Sequence, residues 1–261
     1  MSLAQIGSVK SVYQISRNSL GNRLIAALPR EEYKRLWPHL EPVSLSYKKY
    51  LYQFNALIEH VYFPNSGVVS VLSVMEDGGT VEVATVGNEG MVGIPVLLGA
   101  ACALAETLVQ VPGDAVRMKV DVFKSQVIPG SPTHNLLLRY TQALMNQLSQ
   151  SVACNRLHSV EQRCCRWLLQ TRDRVESDEF PMTQEFFSQM LGVRRASVSE
   201  VAAILQKAGL IRYHRGKMTI INQKGLEAGS CECYQVIKQE YARLLSYPEY
   251  GIGQTNHSPD F

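Results

Sequence analysis

The chain lacks most of what announces chemistry. Six cysteines in 261 residues are too few for the disulfide framework of a small secreted domain. The six histidines (39, 60, 134, 158, 214 and 257) show no paired spacing. Residues 20–133 hold only His39 and His60, so the His/Glu metal constellation of a cupin-like barrel enzyme is the weaker reading. No Gly-x-Ser-x-Gly elbow, Walker loop or Gly-x-Gly-x-x-Gly turn occurs, and we expect no catalytic residues and no enzyme. The start, Met1-Ser-Leu-Ala-Gln-Ile-Gly7, has no basic stretch leading into an apolar one, which predicts no signal peptide. The longest uncharged run, 90–105, is 16 residues long and is broken by Gly93, Pro95 and Gly99, so no membrane span is expected. These absences predict a cytoplasmic protein.

What is present is core material. Hydrophobic residues make up 46% of the chain and charged residues 19%, which excludes a disordered protein, and the length suggests two domains. The net charge of +3 is small but unevenly placed. Residues 187–217 carry six basic side chains against Glu200 alone, a local +5, which leaves the rest at −2. A compact basic patch on an acidic body is the electrostatic footprint of a nucleic-acid contact; the bland alternative is a solvated basic face.

Residues 20–133 read as short strands. Ser70–Met75 and Thr80–Val86 are β-branched runs flanking Glu76-Asp77-Gly78-Gly79, a hairpin signal. Thr107–Val111 and Ala115–Val120, around Pro112-Gly113-Asp114, suggest a second hairpin. Many strands at this spacing predict an antiparallel barrel or jelly roll.

The pattern changes near residue 133. From His134 to His158 there is neither Pro nor Gly, and Leu137, Thr141, Leu144, Leu148 and Val152 recur every three or four residues. This predicts one long amphipathic helix over 134–158. Its stripe could pack on the chain's own barrel, but a helix of this length overhangs so small a domain, and pairing with a second copy is the expectation.

Residues 159–225 read as helix, helix, turn, helix, hairpin. A helix over Val160–Arg174 is followed by Thr183 capping a helix over Gln184–Leu191. Gly192 suits a tight turn, and a second helix runs over about Arg195–Lys207 with Val198, Val201, Ala202 and Leu205 on one face. Leu210–Tyr213 and Met218–Ile221 flank the basic turn His214-Arg-Gly-Lys217. Two short helices joined at a Gly turn, then a hairpin, form the plan of a winged helix-turn-helix, whose second helix enters the major groove by its N-terminal turn. Arg194 and Arg195 stand at that turn, and an arginine fork can bond guanine O6 and N7 or a phosphate. Ser197 and Ser199 are short donors, Glu200 could accept from cytosine N4, and Arg215 and Lys217 would reach phosphates from the wing.

This order resembles the bacterial CRP/FNR family of transcription regulators over about residues 20–225. The most specific stretch is Met182–Ile211: a Thr-led helix, a Leu-Gly turn, Arg-x-Ser/Thr-Val on the reading helix and a closing Gly-Leu-Ile. The turn Gly87-Asn-Glu-Gly-Met-Val-Gly93 resembles the family's Gly-rich sensor segment. The resemblance implies an α+β chain: an N-terminal antiparallel β jelly-roll, cyclic-nucleotide-binding-like, at 20–133; a long dimerisation helix at 134–158; and a C-terminal winged helix-turn-helix domain at 159–225; the tail at 226–261 lies beyond it and is unassigned. It implies a homodimer on double-stranded DNA with a two-fold symmetric operator, and RNA polymerase as a further partner. Arg195 falls on the family's leading reading-helix arginine and Ser197 on a phosphate-touching Ser/Thr, whereas Glu200 stands where many members have Arg.

The sensor half departs from that family. Its cyclic-nucleotide-binding members grip the cyclic phosphate with an Arg-Ser/Thr pair; here Ala103 and Leu104 fall on it, and no Arg or Lys occurs from Ser66 to Asp114. Burying a phosphate without a cation is unfavourable, so no tight cyclic-AMP binding is expected, any pocket is expected to be apolar, and the effector stays unknown. A nucleotide-responsive member with an altered pocket, or a redox-responsive one, is the alternative. No Cys precedes Cys102, which argues against an N-terminal iron–sulfur cluster. Cys231 and Cys233 form a candidate redox pair, but two thiols do not complete a zinc site, so no metal and no cofactor are predicted. Cys164 and Cys165 beside Trp167 read as helix core. Residues 234–245 read as partly helical, the end beyond them as loose.

Overall fold

The computed structural model describes residues 21–245. Two short helices, α1 (Arg23–Ala27) and α2 (Arg30–Leu36), precede β1 (Glu41–Leu45), β2 (Tyr50–Tyr52), β3 (His60–Pro64), β4 (Val68–Val74) and β5 (Thr80–Val86). Then come α3 (Ile94–Leu97), β6 (Glu106–Val111), β7 (Gly113–Lys119) and α4 (Val120–Gln126). The strands form two antiparallel sheets, ordered β2-β6-β4-β5 and β1-β7-β3, with Leu45, Val61, Val69, Val86, Val109 and Met118 between them. The β4–β5 hairpin closes at Asp77-Gly78, as the turn residues predict. The second expected hairpin does not form: β6 pairs with β2 and β4, whereas β7 crosses to β1 and β3. Pro112 lacks a ladder donor, so the chain changes sheet there, and that crossing makes the layers a jelly roll rather than a meander.

Helix α5 (Pro132–Leu157) is capped by Ser131, whose hydroxyl accepts from the His134 amide, and has Pro132 in its first turn. At 26 residues it is about 39 Å long. One face packs into the jelly-roll core through Leu136, Leu137, Tyr140 and Ala143. Tyr140 lies so close to the barrel turn that a Cβ on Gly90 would come within 2.4 Å of its hydroxyl.

Past α5 come α6 (Val160–Val175), β8 (Glu179–Pro181), α7 (Gln184–Leu191), α8 (Arg195–Lys207), β9 (Ile211–His214), β10 (Lys217–Ile220), α9 (Gln223–Ala228) and α10 (Cys233–Leu245). Trp167, Leu168, Phe180, Phe187, Leu191, Val198 and Leu205 form a second core, which also takes in Val68, Leu72, Leu108 and Val111 from the four-stranded sheet. That sheet is therefore covered on both faces, which explains why Val68, Val69 and Ser70 are buried in succession instead of alternating. Cys164 and Cys165 are buried here, as read from the sequence.

The helix read over 234–245 forms as α10 and lies along α5, with the Tyr140 and Tyr241 rings 6.3 Å apart and Arg139 Nε donating to the Leu244 carbonyl at 3.2 Å. The loose end expected beyond it lies outside the described residues. The stripe proposed for pairing needs correction. Leu137 and Thr141 are 2% and 7% exposed, sealed within their own chain, and Leu144 packs partly on the same core. Leu148 is half-buried, and only Val152 of the five stands clear. The large apolar side chains that α5 presents outward are Leu138, Met145 and Val152, seven residues apart, and Leu157 at its end.

Candidate nucleic-acid interface

The segment 184–207 folds as two helices because each local signal agrees with its neighbours. Thr183 Oγ1 accepts from the Phe186 amide at 3.1 Å and starts α7. Gly192 stops it with φ +62, a left-handed conformation that an L side chain rarely adopts. Arg194 is then the residue before the first turn of α8 and Arg195 begins it. Val198, Val201, Ala202 and Leu205 face the core, which turns the opposite side of α8 outward.

On that outer side Arg194, Arg195 and Glu200 are exposed, and Ser197 and Ser199 are half-exposed. The two guanidiniums flank the positive end of the α8 macrodipole, which leaves that corner attractive to an anion. Ser199 donates within its own unit, to Gln184 Oε1 and to the Arg195 carbonyl, both at 3.0 Å, so its hydroxyl already has acceptors. Thr183 serves as a cap, yet remains exposed. In the wing, Arg215 and Gly216 both take positive φ, +47 and +77, and close a two-residue hairpin between β9 and β10. Arg215 stands free at the tip, whereas Lys217 is held 2.6 Å from Glu179 of β8. Ala196 and Ala203 share the exposed face of α8 with Glu200; their methyl groups carry no charge or hydrogen-bond signal, so the sequence reading passes over them.

The helix-turn-helix unit is anchored to the barrel by polar contacts. Trp167 Nε1 donates to Glu82 Oε1 at 2.7 Å, Gln110 Nε2 donates to Thr171 Oγ1 at 3.2 Å, and Arg174 Nε donates to Glu89 Oε1 at 2.9 Å. Burial pushes the Glu82 carboxyl up to about 7, against the hydrogen bonds from Ser70 and Trp167 that favour its charged form. Gly87–Gly93, which resembles a sensor segment, is thus engaged through Glu89 with α6.

Ala103 is buried, Leu104 is 72% exposed, and no cation stands near either in sequence. The apolar cavity beneath α1 and α5 has about 10 Å³, roughly room for one water. The large cleft, 490 Å³, lies outside the barrel between Asn88–Glu89, α6 and α10, and is lined by Arg23, Arg172, Asp173, Arg174 and Lys238 among others. The small cavity within the barrel is apolar, in line with the sequence, whereas the cleft outside it is charged, because distant segments supply the cations that residues 66–114 lack.

The cysteines are arranged differently from the sequence reading. Cys231 and Cys233 lie beside Cys154 and His158 from the end of α5. The Cys154 and Cys231 sulfurs share a hydrogen bond at 3.5 Å, which favours the thiolate on Cys154 and the thiol on Cys231. Cys154 and His158 were missed because some 75 residues separate them from the other pair; their i, i+4 spacing on one helix was the available signal.

Residues 162–228 match the model of the Crp-like helix-turn-helix domain. No protein of curated function matches the chain. Among solved structures it is similar to FixK2 from Bradyrhizobium japonicum, at 14% identity and TM-score 0.63, over 74% of this chain and 98% of that one. It is similar to TTHB099, a transcriptional regulator of the CRP family from Thermus thermophilus, at 20% identity and TM-score 0.61, over 72% and 96%. It is similar also to the c-di-GMP responsive global regulator CLP of Xanthomonas campestris, at 13% identity and TM-score 0.58, over 74% and 99%. Fold and site together define a jelly roll carrying a helix-turn-helix unit. Residues 162–228 are thus a Crp-like helix-turn-helix domain, and the chain shares the fold of the solved CRP/FNR regulators. Among the described residues no helix is long and apolar enough to cross a membrane.

Proposed function

We propose that the chain works as a homodimer that binds a two-fold symmetric DNA operator sequence-specifically, and that cyclic AMP does not control it. The observation that carries the reading is Arg195. It is exposed in the first turn of a helix whose opposite face is committed to the core, and the hairpin that follows carries an exposed basic tip at Arg215. Arg195 reads a base edge, Arg194 and Ser197 hold phosphates, and Glu200 discriminates at a third position. Arg215 holds the flanking backbone, and Lys217 joins it on release from Glu179. Two such heads on one dimer fit half-sites about 34–36 Å apart.

The second copy meets α5 along Leu138, Met145 and Val152, with Leu148 at the margin. A heptad-spaced apolar stripe on an exposed helix face is the pattern of a two-stranded coiled coil. Cyclic-AMP independence is supported by Ala103 and Leu104, neither of which can neutralise a phosphate. RNA polymerase is the expected further partner on DNA. Operator recovery from random duplexes, followed by titration of Arg195→Ala, tests the DNA reading. Calorimetry with cyclic AMP and cyclic GMP tests the effector reading, and micromolar affinity for either would sink it.

A further inference from the structure

Where α5 ends and α10 begins, four side chains with metal-binding atoms converge. Cys154 lies in the last turn of α5 and His158 caps its C-terminus; Cys231 and Cys233 bracket the first residues leading into α10. Three of the four are fully or almost fully buried, and His158 is half-buried. The two cysteines of the second pair lie two positions apart, with Glu232 between them, and the first pair lies one helical turn apart.

The donor atoms all lie within 4.8 Å of one another. Cys154 Sγ is 3.5 Å from Cys231 Sγ, and Cys233 Sγ is 3.4 Å from His158 Nδ1. A tetrahedral ion with Zn–S of about 2.3 Å and Zn–N of about 2.0 Å would separate such pairs by roughly 3.5–3.8 Å. The sulfurs are too far apart for a disulfide, which needs about 2.05 Å. The tight grouping also argues against an iron–sulfur cluster, whose bridging atoms would spread the thiolates.

The surroundings fit a metal-bound form of each donor. His158 points its other nitrogen, Nε2, at Glu232 Oε1, 3.3 Å away, which fixes the tautomer that leaves Nδ1 free to ligate. Gln150 Nε2 lies 3.1 Å from Cys233 Sγ, an amide donor aimed at a would-be thiolate.

From this geometry we propose that Cys154, His158, Cys231 and Cys233 bind one zinc ion. Neither the DNA-binding reading nor the family likeness is needed for it. Binding sets three sulfur–zinc bonds and one nitrogen–zinc bond and releases one proton from each thiol that was protonated; no electron is transferred. With four protein donors and no open position, the site is structural. It ties the end of α5 to the start of α10, at the junction where α6 leads into the DNA-binding unit.

The test uses the full chain, purified without chelator. Elemental analysis is expected to find about one zinc per chain, and a thiol-specific mercurial to release it. Cobalt added to metal-stripped protein is expected to give the visible bands and near-ultraviolet sulfur charge-transfer band of a tetrahedral thiolate site. Cys233→Ala and His158→Ala should lower zinc content several-fold, while Cys102→Ser should leave it unchanged. Chelation should speed hydrogen exchange over residues 231–245 in the wild-type chain, a readout independent of whether the variants fold. Wild-type protein with neither stoichiometric zinc nor a thiolate–cobalt spectrum would overturn the proposal. So would a Cys154–Cys231 disulfide in freshly purified, metal-free protein.

Discussion

Arg174, near the end of α6, places its Nε 2.9 Å from Glu89 Oε1 in the barrel turn, with both side chains 7% exposed. The same guanidinium reaches the Gln170 carbonyl at 3.1 Å and Gln147 Oε1 of α5 at 3.2 Å, and Gln147 also takes the Tyr241 hydroxyl of α10 at 2.9 Å. One buried cation therefore ties the jelly roll, the long helix, the helix-turn-helix unit and the C-terminal helix. Removing one partner strands the other charge in the interior, so Arg174→Met should cost about 3–5 kcal/mol in chemical denaturation. The double change Arg174→Met with Glu89→Leu should recover much of that loss, because no charge is left unpaired. Equal losses in the single and double variants would show that packing, not the ion pair, holds the junction.

Glu82 gives the junction a pH dependence. Its folded carboxyl is raised to about 7, so the folded state holds that proton more tightly than the unfolded chain does. The stability linked to protonation is full below about pH 4.5 and is lost as pH rises through about 7. The melting temperature should therefore fall between about pH 5 and 8 more steeply in the wild-type chain than in Glu82→Gln, which cannot ionise. Parallel melting curves for the two would contradict the burial argument.

The DNA face makes four separable predictions. Arg195→Ala should weaken the operator by about 1–3 kcal/mol and relax one base position. Arg215→Ala should weaken all duplexes alike and reduce the salt slope by about one. Lys217→Ala should do less, because Glu179 already neutralises that ammonium 2.6 Å away. Conversely Glu179→Gln frees Lys217 and should raise non-specific affinity. Binding isotherms across a salt series read all four.

Local signals were legible in the sequence wherever the answer is local. The helices over Gln184–Leu191 and Arg195–Lys207 follow from Thr183, Gly192 and the apolar spacing, and the β4–β5 hairpin from Asp77-Gly78. What failed was partner choice across distance. β6 and β7 are adjacent in sequence but belong to different sheets, a decision made by the crossing at Pro112. α5 is apolar on two sides, and spacing alone does not say which side the barrel takes; α10 and Tyr140 decide it. The cations absent from residues 66–114 arrive from α6, and Cys154 and His158 meet Cys231 and Cys233 only once α10 has docked.

The two sides of α5 separate folding from pairing. Leu137 is buried in its own chain, so Leu137→Ala should lower stability by about 2–5 kcal/mol whatever the oligomeric state. Met145 is 56% exposed and Val152 73%, so within one chain a charge at either position meets water and should cost little. In a paired seam the same charge is buried against its own copy, where like charges repel without compensation. Met145→Glu and Val152→Glu should therefore shift sedimentation from dimer to monomer while the circular dichroism spectrum is retained. Operator affinity should fall as well, since a monomer offers one head to two half-sites. If both variants sediment like the parent, this stripe is not the seam, and if the parent itself sediments as a monomer, the paired reading of α5 is lost with it.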